Sequence, residues 1–156
     1  MFGYAMTLAG DADAARDLLQ QCALQSLASA NPPRSEQAVR PWLFRILRNL
    51  WIDQHRRDLV RREEAQPALA EQERWHYDDR LIAELTVQKG LARIDPMHRE
   101  IIRLVDLFGF RYAEVADILD IPLGTVMSRL SRARLALLDA IGGNVRSLES
   151  ARRRLP

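Results

Sequence analysis

Residues 112–140 read YAEVADILDIPLGTVMSRLSRARLALLDA. Val115, Ala116 and Leu119 recur at the three-and-four spacing of one helical face, and Val126, Leu130 and Leu137 do the same further along. Asp120-Ile121-Pro122 interrupts the pattern, which predicts helices over about 112–119 and 124–140 joined by a tight corner. Small Ala116 lets the two helices approach closely, and Ile121 plugs the corner between them. Asp120 takes the turn position, where Asp enters the left-handed region more readily than most residues. This is the spacing of a helix-turn-helix.

Opposite the apolar stripe of the second helix stand Met127, Ser128, Ser131 and Arg132, with Arg129 and Arg134 on its flanks; residues 124–134 contain three Arg and no acid. In a major groove Arg donates to guanine, Ser serves base or phosphate, and Met meets a thymine methyl. A plain helical hairpin with a basic solvated face is the alternative. A corner alone does not require three arginines without an acid.

Upstream, RPWLFRILRNLWIDQHRR (40–57) divides into two faces. Leu43, Ile46, Leu47 and Leu50 turn inward, whereas Trp42, Arg45, Asn49 and Arg56 share another face with Arg48 beside it. Unpaired bases stack on aromatic rings and guanidinium planes, offer edges to an amide, and bring phosphates for Arg to hold. The stripe suits opened DNA. Periodicity alone fits equally well a core in which Trp42 and Trp51 are ordinary aromatics and the arginines are solvated. The absence of acids from 40 to 49 speaks against that, because a merely soluble helix interleaves both signs.

The rest of the 156-residue chain, with 47% hydrophobic and 28% charged side chains, has ordinary globular composition and length for two small helical domains. Glycine and proline are sparse and no strand pattern competes, so the expected fold class is all-α. Helices are predicted over about 2–8, over a stretch capped by Asp11 or Asp13 and running to about Ala30, over 41–57 with Pro41 in its first turn, and over 81–93 and 97–108. The buried side of the second should be Ala14, Leu18, Leu19, Cys22 and Leu27. Asn31 to Arg40 reads as loop or short turn.

The net charge of +2 conceals segregation: residues 40–62 hold seven Arg and two acids, whereas 63–90 hold three basic and seven acidic residues. Clustered Arg is what a polyanion binder needs. The expected organisation is a first domain over 1–60, an acidic linker over 61–84, a helix-turn-helix domain over 85–141 and a basic flexible tail over 142–156. No run approaches the roughly 18 apolar residues of a membrane span, and the start lacks the pattern of a secretory signal, so a cytoplasmic protein without membrane insertion is expected. Cys22 is alone and reads as a small buried hydrophobe. His55, His76 and His98 are scattered, with no nucleophile–base pair, phosphate loop or ligand cluster, so no enzyme, no cofactor and no metal site is expected.

Taken together, Arg40-Pro41-Trp42-Leu43-Phe44-Arg45-Ile46 through Arg48-Asn49-Leu50 to Ile52-Asp53, and Tyr112 to Leu119 through Ile121-Pro122-Leu123-Gly124-Thr125-Val126 to Ser128-Arg129-Leu130 and Arg132-Ala133-Arg134, resemble the extracytoplasmic-function sigma factors of bacterial RNA polymerase. The resemblance spans about Tyr4 to Ile141 and implies a sigma region 2 helical bundle followed by a sigma region 4 helix-turn-helix. It implies that Arg40, Trp42, Arg45, Arg48, Asn49, Arg56 and Arg57 read and melt a minus-10 element, with the loop Asn31 to Val39 forming part of a base pocket. Arg111, Tyr112, Thr125, Met127, Ser128, Arg129, Ser131, Arg132 and Arg134 would serve the minus-35 duplex. Asp17, Gln20, Gln21 and Leu24 would meet the clamp helices of the largest subunit of core RNA polymerase, and the flap of the second largest would be a further contact. Promoter DNA and an anti-sigma factor complete the implied partners. Three positions depart from the family's habit: Arg16 and Gln21 stand where acids are usual, and Met127 where a basic residue is common. A sigma-like decoy that only titrates an anti-sigma factor would not need the DNA-facing residues, and a simple helix-turn-helix regulator would leave Trp42 and Asn49 unexplained.

Overall fold

A computed structural model describes the backbone of residues 1–63 and 87–152 and the side chains of 1–57 and 87–142. Among these residues all regular structure is helical. The chain divides into two compact units, one built around the first three helices together with residues 117–120 and the other around the rest of the last four helices.

In the first unit, α1 (Phe2–Ala9) stops at Gly10, whose φ of 86° is the left-handed cap that glycine takes without a Cβ clash. Asp11 then starts α2 (Ala12–Leu27): its carboxylate accepts from the backbone N–H of Asp13 at 3.0 Å and of Ala14 at 2.9 Å. α2 buries Ala15, Leu18 and Cys22 against α1 and α3 (Glu36–Glu63), which contributes Phe44, Ile46 and Leu47. Tyr4 and Phe44 stack with ring centroids 4.8 Å apart, a pairing worth about 0.5–1.5 kcal/mol beyond area burial.

Three expectations are corrected here. The third helix begins at Glu36 rather than Pro41, so Val39 belongs to a helix and only residues 28–35 form the connection. Pro41 sits inside the helix, where it removes one backbone bond, and it is buried. α3 also runs to Glu63, past the expected end at 57, because residues 58–63 contain neither Pro nor Gly. Finally, Leu27 is not core but 85% exposed: the α2 core repeats at 15, 18 and 22, and Leu27 falls off that face. Beyond Glu63, the rest of the expected linker, 64–84, lies outside the described residues.

In the second unit, a helical segment over 87–93, α4, is followed by Asp95, which caps α5 (Pro96–Ile102). α5 continues into a π-helical turn, Arg103–Leu107, and packs against α7 (Leu123–Arg152). Gly90 makes a tight approach possible: a Cβ there would lie 2.9 Å from Ile141 Cγ1. The Arg99 guanidinium reaches back to the end of α4, Nε donating to the Leu91 carbonyl at 2.7 Å and Nη2 to those of Ala92 at 3.0 Å and Ile94 at 3.2 Å. Those carbonyls have no partner further along their own helix. α6 (Tyr112–Leu119) joins α7 through Asp120, whose φ of 54° is the left-handed conformation expected of it. The Ile121 N–H closes the corner on the Ala116 carbonyl at 3.1 Å. Val115, Val126, Leu130 and Ala133 are buried, and so are Ile118 and Leu119. The sequence predicts an end to the last helix near 140 and a tail after Gly142-Gly143. The backbone instead stays helical to Arg152: each glycine costs about 1 kcal/mol of helix propensity, but no proline follows before the end of the helix.

Candidate nucleic-acid interfaces

On α3, Leu47 and Phe44 define the buried side, and Arg45, Asn49 and Arg56 are exposed on the other. Trp42, half-buried, follows the same spacing, so its ring has both a packed and an accessible side. The stripe Trp42, Arg45, Asn49, Arg56 thus forms one continuous helical face, as its spacing predicts. Arg57 is exposed next to it and Arg48 half-buried. Arg40 differs: its guanidinium lies 5.8 Å from the centroid of the buried Phe44 ring, a cation–π contact that ties it to the fold. Trp51, a core aromatic on the alternative reading, is half-buried and stacks on His55 at 5.3 Å with the planes 11° apart.

The solvent face of α2 presents Asp17, Gln20, Gln21 and Leu24, spaced three, one and three residues, all exposed. Leu24 is 69% exposed, and Leu27 extends the same side by one turn, so two leucines stand unburied on a short helix. A leucine side chain left in water forgoes about 1.5–3 kcal/mol, which a protein partner recovers. Nothing in the sequence pattern set Leu27 apart from the core leucines. Arg16, on the first turn, is paired with Asp13.

On α7 the face opposite the apolar stripe presents Met127, Ser128, Ser131 and Arg132, all exposed, with Thr125 and Arg129 half-buried at its edge. Ser128 Oγ donates to the Thr125 carbonyl at 3.1 Å and Arg132 Nε to the Ser128 carbonyl at 3.3 Å, so both side chains lie along the helix. Arg134 is held elsewhere. Its Nε donates to Asp106 Oδ2 at 3.1 Å and its Nη2 to Oδ1, a bidentate pair that raises the guanidinium pKa through the hydrogen bond with Asp106. Arg111 is likewise engaged. Its backbone N–H donates to Glu114 Oε2 at 2.7 Å and its guanidinium to Oε1 at 3.1 Å, and this bond pushes the Arg111 pKa up. Glu114 thereby closes the start of α6 in the manner of a capping box. Tyr112, at that same start, is exposed. The structure thus brings Thr125, Met127, Ser128, Arg129, Ser131 and Arg132 to one face, and sets Arg134 and Arg111 in ion pairs beside it. Asp106 and Glu114 are the residues that make this division, and single-sequence periodicity carries no signal for either.

Among the described residues no group of three or more His, Cys, Asp and Glu side chains is placed to hold a metal, and no helix is long and apolar enough to cross a membrane.

Comparison with known proteins places both units. A family profile described as Sigma-70 region 2 matches residues 1–61, and one described as Sigma-70, region 4 matches residues 81–137. The chain is 33% identical over 137 residues to the ECF RNA polymerase sigma factor EcfG of Rhodopseudomonas palustris, covering 86% of this chain and 75% of that protein. It is 33% identical over 144 residues to the ECF RNA polymerase sigma factor SigL of Mycobacterium tuberculosis, covering 88% and 80%. With SigM of the same species it shares 33% identity over 135 residues, 85% of this chain and 65% of SigM. Among solved structures it resembles the sigma factor RpoE of Bartonella quintana, crystallised in complex with the anti-sigma factor NepR, with a TM-score of 0.74 at 28% identity over 90% of this chain and 89% of that one.

Proposed function

The chain belongs to the extracytoplasmic-function family of RNA polymerase sigma factors, and on that premise we propose that it directs core RNA polymerase to particular promoters and helps open them. Two basic faces, on separate helical units and of different chemistry, carry this reading. The α3 face, Trp42, Arg45, Asn49 and Arg56, combines a ring, an amide and guanidinium groups, which suits unstacked bases of a minus-10 element. The α7 face, Met127, Ser128, Ser131 and Arg132, suits the edges and backbone of paired minus-35 DNA. Asp17, Gln20, Gln21 and Leu24 on α2 are the contact with the largest subunit, and Leu27 joins them.

Its work is binding rather than catalysis, and it acts in the cytoplasm, where promoters and polymerase are. An anti-sigma factor holds it between signals; the likeness to a sigma factor solved with such an inhibitor supports this. Run-off transcription with purified core polymerase tests the proposal. Asn49→Ala and Trp42→Ala should abolish promoter opening while leaving co-purification with core intact. Arg132→Ala should weaken minus-35 contact by about 1–3 kcal/mol if it reads a base. A chain that neither binds core nor changes its transcription would refute the whole assignment.

A further inference from the structure

Beside the α7 face lies a groove that shares Arg129 and Arg132 with it and adds residues the proposed roles leave unused. It is open to solvent, has a volume of about 410 Å³, and is lined by Asp95, Met97, His98, Arg129 and Arg132. Two guanidinium groups of one helix therefore face an imidazole from the start of another. The acid at the rim, Asp95, turns Oδ1 to the backbone N–H groups of Met97 at 2.8 Å and His98 at 3.4 Å. Arg132 uses Nε within its own helix, at 3.3 Å to the Ser128 carbonyl, and its remaining N–H groups are the ones that can meet a ligand. A concave seat with planar, multi-donor cations on one side and an imidazole on the other suits a phosphate oxyanion.

We propose that this groove seats a backbone phosphate of the duplex that α7 reads, with His98 donating to it alongside Arg129 and Arg132. The inference rests on the duplex-reading role of α7 argued above and adds a residue that no periodicity singles out. His98 brings a property the arginines lack, because an imidazole ordinarily titrates near pH 6.5. A phosphate against its N–H favours the protonated form, and Asp95, Arg129 and Arg132 are the charged groups that line the groove with it. Seating the phosphate draws a proton onto His98, so duplex affinity rises as pH falls.

The test is the affinity of the full chain, bound to core polymerase, for a labelled promoter duplex at about pH 6 and about pH 8, in wild type and His98→Gln. Wild type should bind about three- to tenfold tighter at the lower pH, the ceiling being one proton, or tenfold per pH unit. His98→Gln should lose most of that gain and stay within about twofold of wild type at the higher pH, because Gln keeps one donor. Arg132→Ala should weaken binding at both. An undiminished pH gain in His98→Gln would overturn the phosphate seat while leaving duplex reading intact. A wild-type complex that ignores the minus-35 duplex at either pH would overturn the α7 role itself, and the seat with it.

Discussion

Replacing Arg99 by Ala removes a guanidinium that satisfies three carbonyls at the end of α4. Each hydrogen bond from a charged donor contributes about 1.5–3 kcal/mol net. Simple addition overstates the loss, because the Ala92 bond is exposed and water can replace it, whereas those to Leu91 and Ile94 are partly buried. The expected cost is therefore about 2–4 kcal/mol. For a unit of this size that lowers the melting temperature by roughly 10–25 °C. Calorimetry of the full chain should show the transition of the second unit shifted and that of the first unmoved. Arg99→Lys, which offers one ammonium in place of the planar fork, should recover less than half of the loss. A shift equivalent to under about 0.5 kcal/mol in Arg99→Ala, the level of an ordinary surface change, would refute the view that this side chain closes α4.

Three further outcomes are expected. Burial pushes the Cys22 thiol above its ordinary range, so the folded state favours the protonated form; that contribution is full at neutral pH and is lost as pH rises through the raised value. A thiol-reactive dye should label Cys22 slowly in the native protein and rapidly in denaturant, and Cys22→Ala should lose less stability than wild type between about pH 8 and about pH 10; equal labelling rates would contradict its burial. Gly90→Leu forces side-chain atoms into the space of Ile141 and Leu137 and should destabilise by about 1–3 kcal/mol in urea unfolding, a neutral result showing that α4 and α7 can part without cost. Asp106→Ala breaks a half-exposed pair and should cost at most about 1 kcal/mol, yet it releases Arg134 and should steepen the salt dependence of duplex binding by about 0.9 in log–log slope; an unchanged slope would mean that Asp106 does not keep Arg134 from phosphate.

The helix-turn-helix was legible because every signal in it is local. Apolar spacing, the break at Asp120-Ile121-Pro122 and the tolerance of Asp for positive φ act over a few residues, and the observed φ of 54° at Asp120 follows from them. The face of α3 was legible for the same reason. Its start was not: a proline reads as a first-turn residue, yet Pro41 lies buried inside a helix that begins five residues earlier, at Glu36. Leu27 shows the converse limit, since a leucine near the end of an amphipathic helix reads as core until the path of the neighbouring helix is known. Phe44 escaped the inward set because its partner, Tyr4, is forty residues away in sequence.

The arginines sort themselves by what holds them, and this sorting decides which can serve DNA. A guanidinium already committed to a carboxylate, a carbonyl or a ring must give up that bond before it neutralises a phosphate, and the exchange returns little net free energy. Arg99 on three carbonyls, Arg134 on Asp106, Arg111 on Glu114 and Arg40 over Phe44 are in that position. Arg45, Arg56 and Arg57 on α3 and Arg129 on α7 stand at the faces instead, and Arg132 keeps its Nη groups for a ligand while its Nε is on the Ser128 carbonyl. Counting positive charge along the chain therefore overstates the electrostatic footprint of the second unit, where on the proposed reading the duplex meets two arginines of α7 and His98. A protein with a net charge of only +2 can bind a polyanion in this way, because charge gathered on a face acts locally, while Asp106 and Glu114 hold two other arginines of the second unit in ion pairs.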